Sequence, residues 1–182
     1  MKNISSSLYC KPILFLASFF IISSVIAQNS KDKKIIADAA VAKAEFIQTD
    51  GLMQSLFDNA YGYAIFPNVG KGGLGIGGAA GNGAVYQGGS TIGMAKMKQV
   101  TIGFQFGGQA YREVIFFENQ AAMDRFKSNN FELSAQASAV AAKAGASVDA
   151  KYRDGVMVFT QAKGGLMYEA TVGGQKFDFK SF

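Results

Sequence analysis

The stretch YAIFPNVGKGGLGIGGAAGNGAVYQ, residues 63–87, decides the fold predicted for this chain of 182 residues. It opens with the apolar run Tyr63 to Phe66, and glycine then alternates with larger apolar residues. A period of two is typical of a strand, and glycine inside a strand leaves a bare face that lets another backbone approach or the sheet curl. We expect a turn at Pro67–Asn68 and a hairpin at Gly81–Gly83, so the stretch predicts the start of a β-meander.

More strands are predicted on both sides of one short helix. Tyr111 to Phe117 is apolar on both faces and therefore fits a central strand. Asn119 is placed to cap a helix that runs through Phe126. Phe131 to Ala142 has period two, although its alanines also favour a helix. The remaining predicted strands are Thr91–Lys98, Val100–Gly107, Val156–Thr160, Leu166–Val172 and Lys176–Phe179.

The residues from Lys31 to Thr49 predict an amphipathic helix, because apolar side chains recur on one face. Leu52, Leu56 and Phe57 predict a second, shorter helix that ends near Asn59. The apolar face of the first helix includes Ile35, Ala39, Ala42 and Phe46. Such a face suits either a protein core or a membrane surface.

The first 27 residues have the layout of a secretory signal, with Lys2 and Lys11 ahead of the apolar core Ile13–Ile22. Cleavage after Ala27 is expected because small side chains precede it, so the mature protein begins at Gln28 as a single domain, residues 28–182. An uncleaved anchor is the alternative, although the apolar run is short for a bilayer span. We therefore expect an exported protein, located in the periplasm or outside the cell.

Composition excludes the commonest catalytic chemistry. The chain has no histidine, and its one cysteine, Cys10, lies in the predicted leader. Nucleophile–histidine pairs, thiolate metal ligands and disulfides are therefore not expected, and we predict neither a metal site, nor a cofactor, nor enzymatic activity. Without Lys2 and Lys11 the formal charge is +3, which is too small to indicate nucleic-acid binding.

Positive charge is concentrated in the middle of the chain. No carboxylate lies between Asp58 and Glu113, whereas Lys71, Lys96 and Lys98 all lie in that stretch. A buried β-core with few charges and a surface that faces an anion both explain this distribution.

Two segments are candidates for anion binding. Lys71 is predicted to lie in a glycine turn whose backbone N–H groups could hold a phosphate oxygen, although an ordinary turn with a solvated lysine is the more common reason for this pattern. Lys31, Lys33 and Lys34 precede the amphipathic helix and suit an anionic membrane, although the helix could instead pack on the core. The glycine spacings in residues 70–78 match a dinucleotide fingerprint, but no helix is predicted to follow them.

Several motifs together resemble one family. AIFPNVGKGGLGIGG (64–78), VTIGFQFGGQAYREVIFFEN (100–119), AAMDRF (121–126) and FELSAQASAVAA (131–142) are similar, in this order, to the SYLF lipid-binding domain family. The resemblance extends from about Lys34 to Phe179. It departs at TQAKGGLMYEATVGG (160–174), where the family usually has a serine-bearing aromatic turn.

The resemblance implies an α+β fold: a glycine-rich antiparallel β-sheet curved toward a barrel or sandwich, with N-terminal helices and one inserted short helix packed on it. It also implies binding of acidic phospholipids or phosphoinositides without catalysis, through a basic N-terminal segment. Lys71 matches the lysine of the family's opening motif. The residues expected to contact lipid are Lys31, Lys33, Lys34, Ile35, Ile36, Phe46, Lys71, Gly72 and Gly73.

Two functions from different classes follow. In the first, the domain binds anionic lipid at a membrane surface, with lysines on headgroups and Ile35, Ile36 and Phe46 inserted. In the second, it is a structural or partner-binding module of the cell envelope, whose helix packs on the sheet. Burial of the helix distinguishes the two, because a sealed apolar face cannot insert without a conformational change.

Overall fold

The computed structural model describes residues 11–74, 76–102, 109–134, 137, 139–163 and 172–182. The predicted α+β class is confirmed. The elements, in chain order, are α1 (Lys11–Thr49), α2 (Met53–Asn59), β1 (Gly62–Leu74), β2 (Ile76–Gln87), β3 (Ser90–Ile102), β4 (Gln109–Phe117), α3 (Gln120–Lys127), β5 (Phe131–Glu132), β6 (Val140–Ala141), β7 (Val156–Ala162) and β8 (Lys176–Ser181).

Helix α1 takes part in two compact units, Met1–Lys34 and Ile35–Phe182. It ends at Thr49 as predicted, but it begins at Lys11, well ahead of the predicted start at Lys31. The reason is that no glycine or proline interrupts the chain between Pro12 and Gly51. In the part of the chain that is described, no helix is both long enough and apolar enough to span a membrane.

The strands form one sheet in the order β5-β8-β3-β2-β1-β4-β7-β6. The strand pairs are antiparallel except for β6 and β7, which are parallel, so the sheet is mixed. Phe66 of β1 and Phe177 of β8 are separated by two strands, yet their ring centroids lie 5.6 Å apart. Since neighbouring strands are spaced by about 4.8 Å, this contact requires the sheet to curl toward these rings. The result is a half-barrel, as the resemblance implies.

Two predicted turns in the opening stretch are wrong. At Pro67–Asn68 the chain makes a β-bulge, and β1 continues to Leu74. The residues at Gly81–Gly83 lie inside β2, which pairs with strands on both sides. The hairpin turn is instead at Gly88 and Gly89, whose φ angles are 56° and 78°. Such angles favour glycine, which explains the turn position.

Gly83 is required because β1 approaches it closely, not because the chain turns there. A Cβ atom added there would lie 2.5 Å from the carbonyl oxygen of Ile65 and 2.7 Å from the ring of Phe66. The bulge in β1 thus pushes backbone and ring against β2. Only a residue without a side chain fits at this position, so the glycine signal was real but its cause was misassigned.

The other predicted elements divide into three groups. Three predicted strands are confirmed within β4, β7 and β8, and the α3 cap is confirmed because the Asn119 side chain accepts a hydrogen bond from the Ala122 N–H at 3.0 Å. The two strands predicted on either side of Gln99 form one strand, β3, as far as Ile102. The predicted strand 131–142 contains only the short β5 and β6 in its described part. Predicted residues 103–107 and 166–171 lie outside the described residues.

Apolar side chains form a core on each face of the sheet. Strand β4 contributes to both, because Ile115 and Phe117 point to one face and Val114 and Phe116 to the other. The inner core fills the concave face beneath α3 and includes Phe66, Val69, Tyr111, Ile115, Phe117, Phe126, Phe131 and Phe177. The outer core lies beneath α1 and α2 and includes Ala39, Ala42, Phe46, Met53, Phe57, Tyr63, Val114, Phe116 and Phe159.

Candidate functional site

The predicted lipid contacts on α1 differ in exposure. Lys31, Lys33 and Lys34 are exposed, whereas Ile35 and Ile36 are half-buried. Phe46 has no exposed surface and belongs to the outer core, against which Ile36 also packs. Phe46 is therefore unable to insert into a membrane in this conformation, while the three lysines are accessible.

Polar contacts hold the second half of α1 on the sheet. Glu45 forms an ion pair with Arg112 of β4. The Lys43 ammonium group lies 4.8 Å from the ring centroid of Phe57 and 5.3 Å from that of Tyr63, within the range of a cation–π interaction. These contacts reinforce the apolar seal, so residues 35–49 form a packed helix.

Lys71 is not in a turn. It lies in β1, opposite Ala79 of β2 and Gln109 of β4, so its backbone is paired on both sides. The predicted backbone concavity for phosphate does not form there, because the ladder uses those N–H groups. Its side chain is half-buried on the same face as Val69, opposite to the face that Phe46 covers. Phe46 and Lys71 therefore lie on opposite faces of the sheet.

The glycines beside Lys71 belong to the same strand. Gly72 is exposed and lies opposite Gly78, and Gly73 lies opposite Gly77. Both lie near the end of the β1–β2 hairpin, where Leu74 is opposite Ile76.

A row of exposed residues crosses the convex face of the sheet, and sequence reasoning missed it as a unit. Lys98 lies opposite Lys176 on one side and Ala80 on the other. Ala80 lies opposite Gly70, which in turn lies opposite Ala110. The N–H of Lys163 donates a hydrogen bond to the Ala110 carbonyl. We call these six exposed residues the exposed row: Lys176, Lys98, Ala80, Gly70, Ala110 and Lys163.

Period two within β3 gives part of the signal for the exposed row, since Lys96 and Lys98 alternate with buried Met97 and Gln99. Lys176 and Lys180 alternate in the same way in β8. What could not be read locally is that β8 pairs with β3, which brings the two sets of lysines side by side.

A polar cluster lies in the inner core. Gln175 Nε2 donates hydrogen bonds to Glu113 Oε2 at 2.9 Å and to Tyr111 Oη at 3.5 Å. Glu113 and Gln175 have no exposed surface, and Thr160, opposite Glu113 on β7, is 1% exposed. Burial raises the pKa of Glu113 to about 7, although the hydrogen bond from Gln175 acts in the opposite direction. Burial, and then the nearby Glu113, raise the pKa of Tyr111.

Two surroundings of acids in the described residues bear on catalysis, the buried Glu113 and the acids that line one cleft. Glu113 is enclosed by apolar side chains, and its polar neighbours among the described residues are neutral. A cleft of about 750 Å³ runs between the segment after β5 and the start of β7, and its lining mixes acids with the bases Arg125, Lys151 and Arg153. No group of three or more potential metal ligands occurs in the described part of the chain.

Two comparisons with known proteins bear on this arrangement. A family model described as "Ysc84: Las17-binding protein actin regulator" matches residues 98–180, from the end of β3 to β8. Beta cell expansion factor A of Aeromonas veronii is 33% identical over 123 residues, which cover 67% of this chain and 47% of that protein. The chain thus spans about half the length of this curated relative. The family match contains Lys98, Lys163 and Lys176 of the exposed row.

Proposed function

Residues 98–180 make the chain a member of the Ysc84, or SYLF, family, and on this premise we propose that it is a non-catalytic domain that binds acidic phospholipids or phosphoinositides at a membrane surface. The family is associated with lipid or actin-regulator functions and is not known for enzymatic activity. The proposal specifies a membrane lipid as the ligand, rather than a protein such as the one in the family description.

The segregation of charge carries this proposal. No acid lies between Asp58 and Glu113, and Lys96 and Lys98 in that stretch are exposed. Over the described residues, no ion pair within 4 Å joins either of them to a carboxylate. A cation held in water without a protein partner is available to a phosphate headgroup, and each such lysine near an anionic surface contributes about 1 kcal/mol.

The N-terminal segment is proposed to contact lipid as well. Lys31, Lys33 and Lys34 meet headgroups, and the half-exposed Ile35 and Ile36 reach the boundary of the acyl region. Phe46 contributes by holding the helix on the outer core rather than by insertion. The contact does not require the helix to leave the sheet.

Vesicle pelleting tests the proposed function. Protein purified from an exporting bacterial host is expected to sediment with vesicles of phosphatidylcholine and phosphatidylserine, but not with phosphatidylcholine alone, and high salt should release it. Substitution of Lys31, Lys33 and Lys34 by glutamine is expected to weaken the partition coefficient about tenfold, since Asp32 among them reduces the local charge. Equal recovery with both vesicle types, insensitive to salt, would show that the function is not headgroup binding.

A matched charge control is available in the same chain. Lys127, Lys143 and Lys151 lie in or after other elements, away from the N-terminal segment in sequence. Their joint substitution by glutamine removes the same three charges and is expected to change the partition coefficient less than about threefold. A larger loss would mean that net charge, rather than position, determines binding.

Export and cleavage are part of the proposal. The leader pattern supports removal of residues 1–27 and location in the periplasm or outside the cell. We expect the mass of the protein recovered from an exporting host to correspond to a chain that begins at Gln28. Recovery of a chain that still carries the apolar segment Ile13–Ile22 would contradict cleavage.

Burial of the helix favours a second candidate function, a partner-binding module of the cell envelope. Phe46, Met53 and Phe57 are sealed in the outer core, as expected if α1 and α2 serve the fold. Val41 is 58% exposed and Leu52 is 52% exposed, and these side chains on α1 and the α1–α2 turn are available to a protein partner. If the unmodified protein does not bind vesicles, the partner-binding module is the remaining candidate function.

A further inference from the structure

We propose that the exposed row is the surface with which the domain lies against an anionic phospholipid bilayer, an inference that rests on the proposed lipid-binding function and names its main contact. The row lies on the uncovered part of the convex face, as a line of exposed residues that crosses from β8 to the end of β7. Lysines occupy both ends of the row, and residues with a methyl group or no side chain occupy its centre.

Charge is the first argument. Lys98 and Lys176 face each other directly on neighbouring strands, an arrangement of like charges that weakens a sheet. Lys176 Nζ lies 3.4 Å from Glu132 Oε2, but their side chains are 73% and 49% exposed, so solvent screens this pair. Two adjacent cations on an exposed face do not stabilise the fold, but they suit the binding of an external anion.

The other end of the row is cationic as well. Lys163 Nζ contacts two neutral acceptors, the Asn68 side-chain oxygen and the Pro67 carbonyl. The six residues of the row include no acid, and the exposed Glu132 of β5 adjoins the row opposite Lys176. In the neighbouring register position, Asp178 lies opposite Lys96, so that position adds one charge of each sign.

Gly70 is the second, independent argument. A Cβ atom added at this residue would meet no atom within 4 Å, and its backbone does not have a positive φ. Glycine weakens a strand, and neither packing nor backbone conformation within the described residues requires it here. A bare backbone at the centre of an exposed sheet therefore fits close approach of something outside the protein.

Shape selects a bilayer as that external surface. The row crosses five strand spacings of about 4.8 Å, so it extends about 24 Å along the curved sheet. On a convex face the central strands protrude furthest, so a flat bilayer touches the centre of the row first. The long side chains of the lysines at the two ends extend far enough to reach the same plane. Val100 in the adjacent register position is 77% exposed opposite Gly78, which adds an apolar contact at the headgroup boundary. A broad, flat and anionic surface satisfies all of these features together.

Removal of the row's charges is the first test. The joint substitution of Lys98, Lys163 and Lys176 by glutamine is expected to lower the partition coefficient on phosphatidylserine-containing vesicles on the order of 100-fold, at about fivefold per lysine. The control triple at Lys127, Lys143 and Lys151 should change it less than about threefold. Retention of the unmodified far-ultraviolet circular dichroism and melting temperature shows that the row variant is folded, and relief of the Lys98–Lys176 repulsion favours that result.

The second test adds a side chain at the centre of the row and leaves the net charge of the protein unchanged. Gly70→Gln should weaken vesicle binding about tenfold, because a side chain there holds the flanking lysines away from the headgroups. The matched control is Gly51→Gln, since Gly51 is exposed and an added Cβ there also meets no atom within 4 Å. Gly70→Gln is expected to keep or raise the melting temperature, because glycine disfavours a strand.

The outcomes separate this inference from the proposed function. If the unmodified protein binds acidic vesicles but the row triple weakens binding no more than the control triple, the row is not the docking surface, although lipid binding stands. If Gly70→Gln binds as tightly as Gly51→Gln, close approach at the centre is refuted. If the unmodified protein binds neither vesicle type, the proposed lipid-binding function is wrong. An acidic protein is then the expected ligand of the exposed row.

Discussion

Glu113→Gln is expected to stabilise the protein at about pH 8 by about 3 kcal/mol and to leave its stability near pH 4.5 almost unchanged. Burial raises the pKa of Glu113 from 4.5 to about 7, so the folded state holds this proton more tightly than the unfolded state does. The contribution of the protonated carboxyl is fully present below pH 4.5 and is lost as the pH rises to about 7. Glutamine has no charge to desolvate, so the variant avoids this loss.

The hydrogen bonds around position 113 also favour glutamine. Its side-chain oxygen can still accept from Gln175 Nε2, and its amide group adds a donor. Within the described residues, Gln175 Oε1 and Thr160 Oγ1 have no hydrogen-bond partner, so that donor has acceptors nearby. The substitution is close to isosteric, and it keeps the packing of the inner core.

Urea unfolding from about pH 4 to pH 8 measures this effect. The difference in unfolding free energy between Glu113→Gln and the unmodified protein should grow over that range, mostly between pH 4.5 and 7. Glu118→Gln removes an exposed carboxylate from the same part of the chain and should stay within about 0.5 kcal/mol of the unmodified protein. A difference for Glu113→Gln that is the same at both ends of the range would show that the carboxyl is not desolvated in the folded state.

Phe46→Ala is expected to lower the free energy of unfolding by about 3 to 5 kcal/mol. The side chain has no exposed surface and lies in the outer core with Ala39, Ala42 and Phe116. Removing its ring leaves a cavity between α1 and the sheet that the surrounding side chains fill only in part. Urea denaturation at constant pH measures the loss.

Val41→Ala is the matched control on the same helix, because Val41 is 58% exposed and the change should stay within about 0.5 kcal/mol. The pair of variants decides between the two roles of α1. If Phe46→Ala kept full stability but lost vesicle binding, Phe46 would act in the membrane rather than in the core. We expect the reverse, a large loss of stability from the buried ring, with the proposed vesicle binding retained below the new melting temperature.

Local patterns were sufficient for much of the fold. Strand β4 was predicted as central from its apolar residues on both faces, and it supplies both cores. The α3 cap at Asn119 was predicted from the local chemistry of a helix N-terminus. Helix α2 ends at Asn59 as expected. In each case, residues within a few positions of one another determine the structure.

Several errors share one physical cause, because the features concerned depend on contacts between distant segments. Gly83 is needed because Phe66 presses on it across the β1–β2 pair, and a local reading assigns the same glycine to a turn. Glu113 is an acid inside an apolar strand, but its partner Gln175 comes from the other end of the sheet. The exposed row could not be predicted because its lysines come from β3, from β8 and from the residue that follows β7.

The sheet order has a consequence for how the protein is made. Strand β8 pairs with β3, and Phe177 on β8 contacts the rings of Phe66, Phe126 and Phe131. During synthesis, those rings leave the ribosome long before the strand that covers them, so the nascent chain carries uncovered phenylalanines until residues 176–181 emerge. A chaperone that binds aromatic segments therefore has a long interval in which to capture this polypeptide, and premature termination ahead of β8 yields a product prone to aggregate.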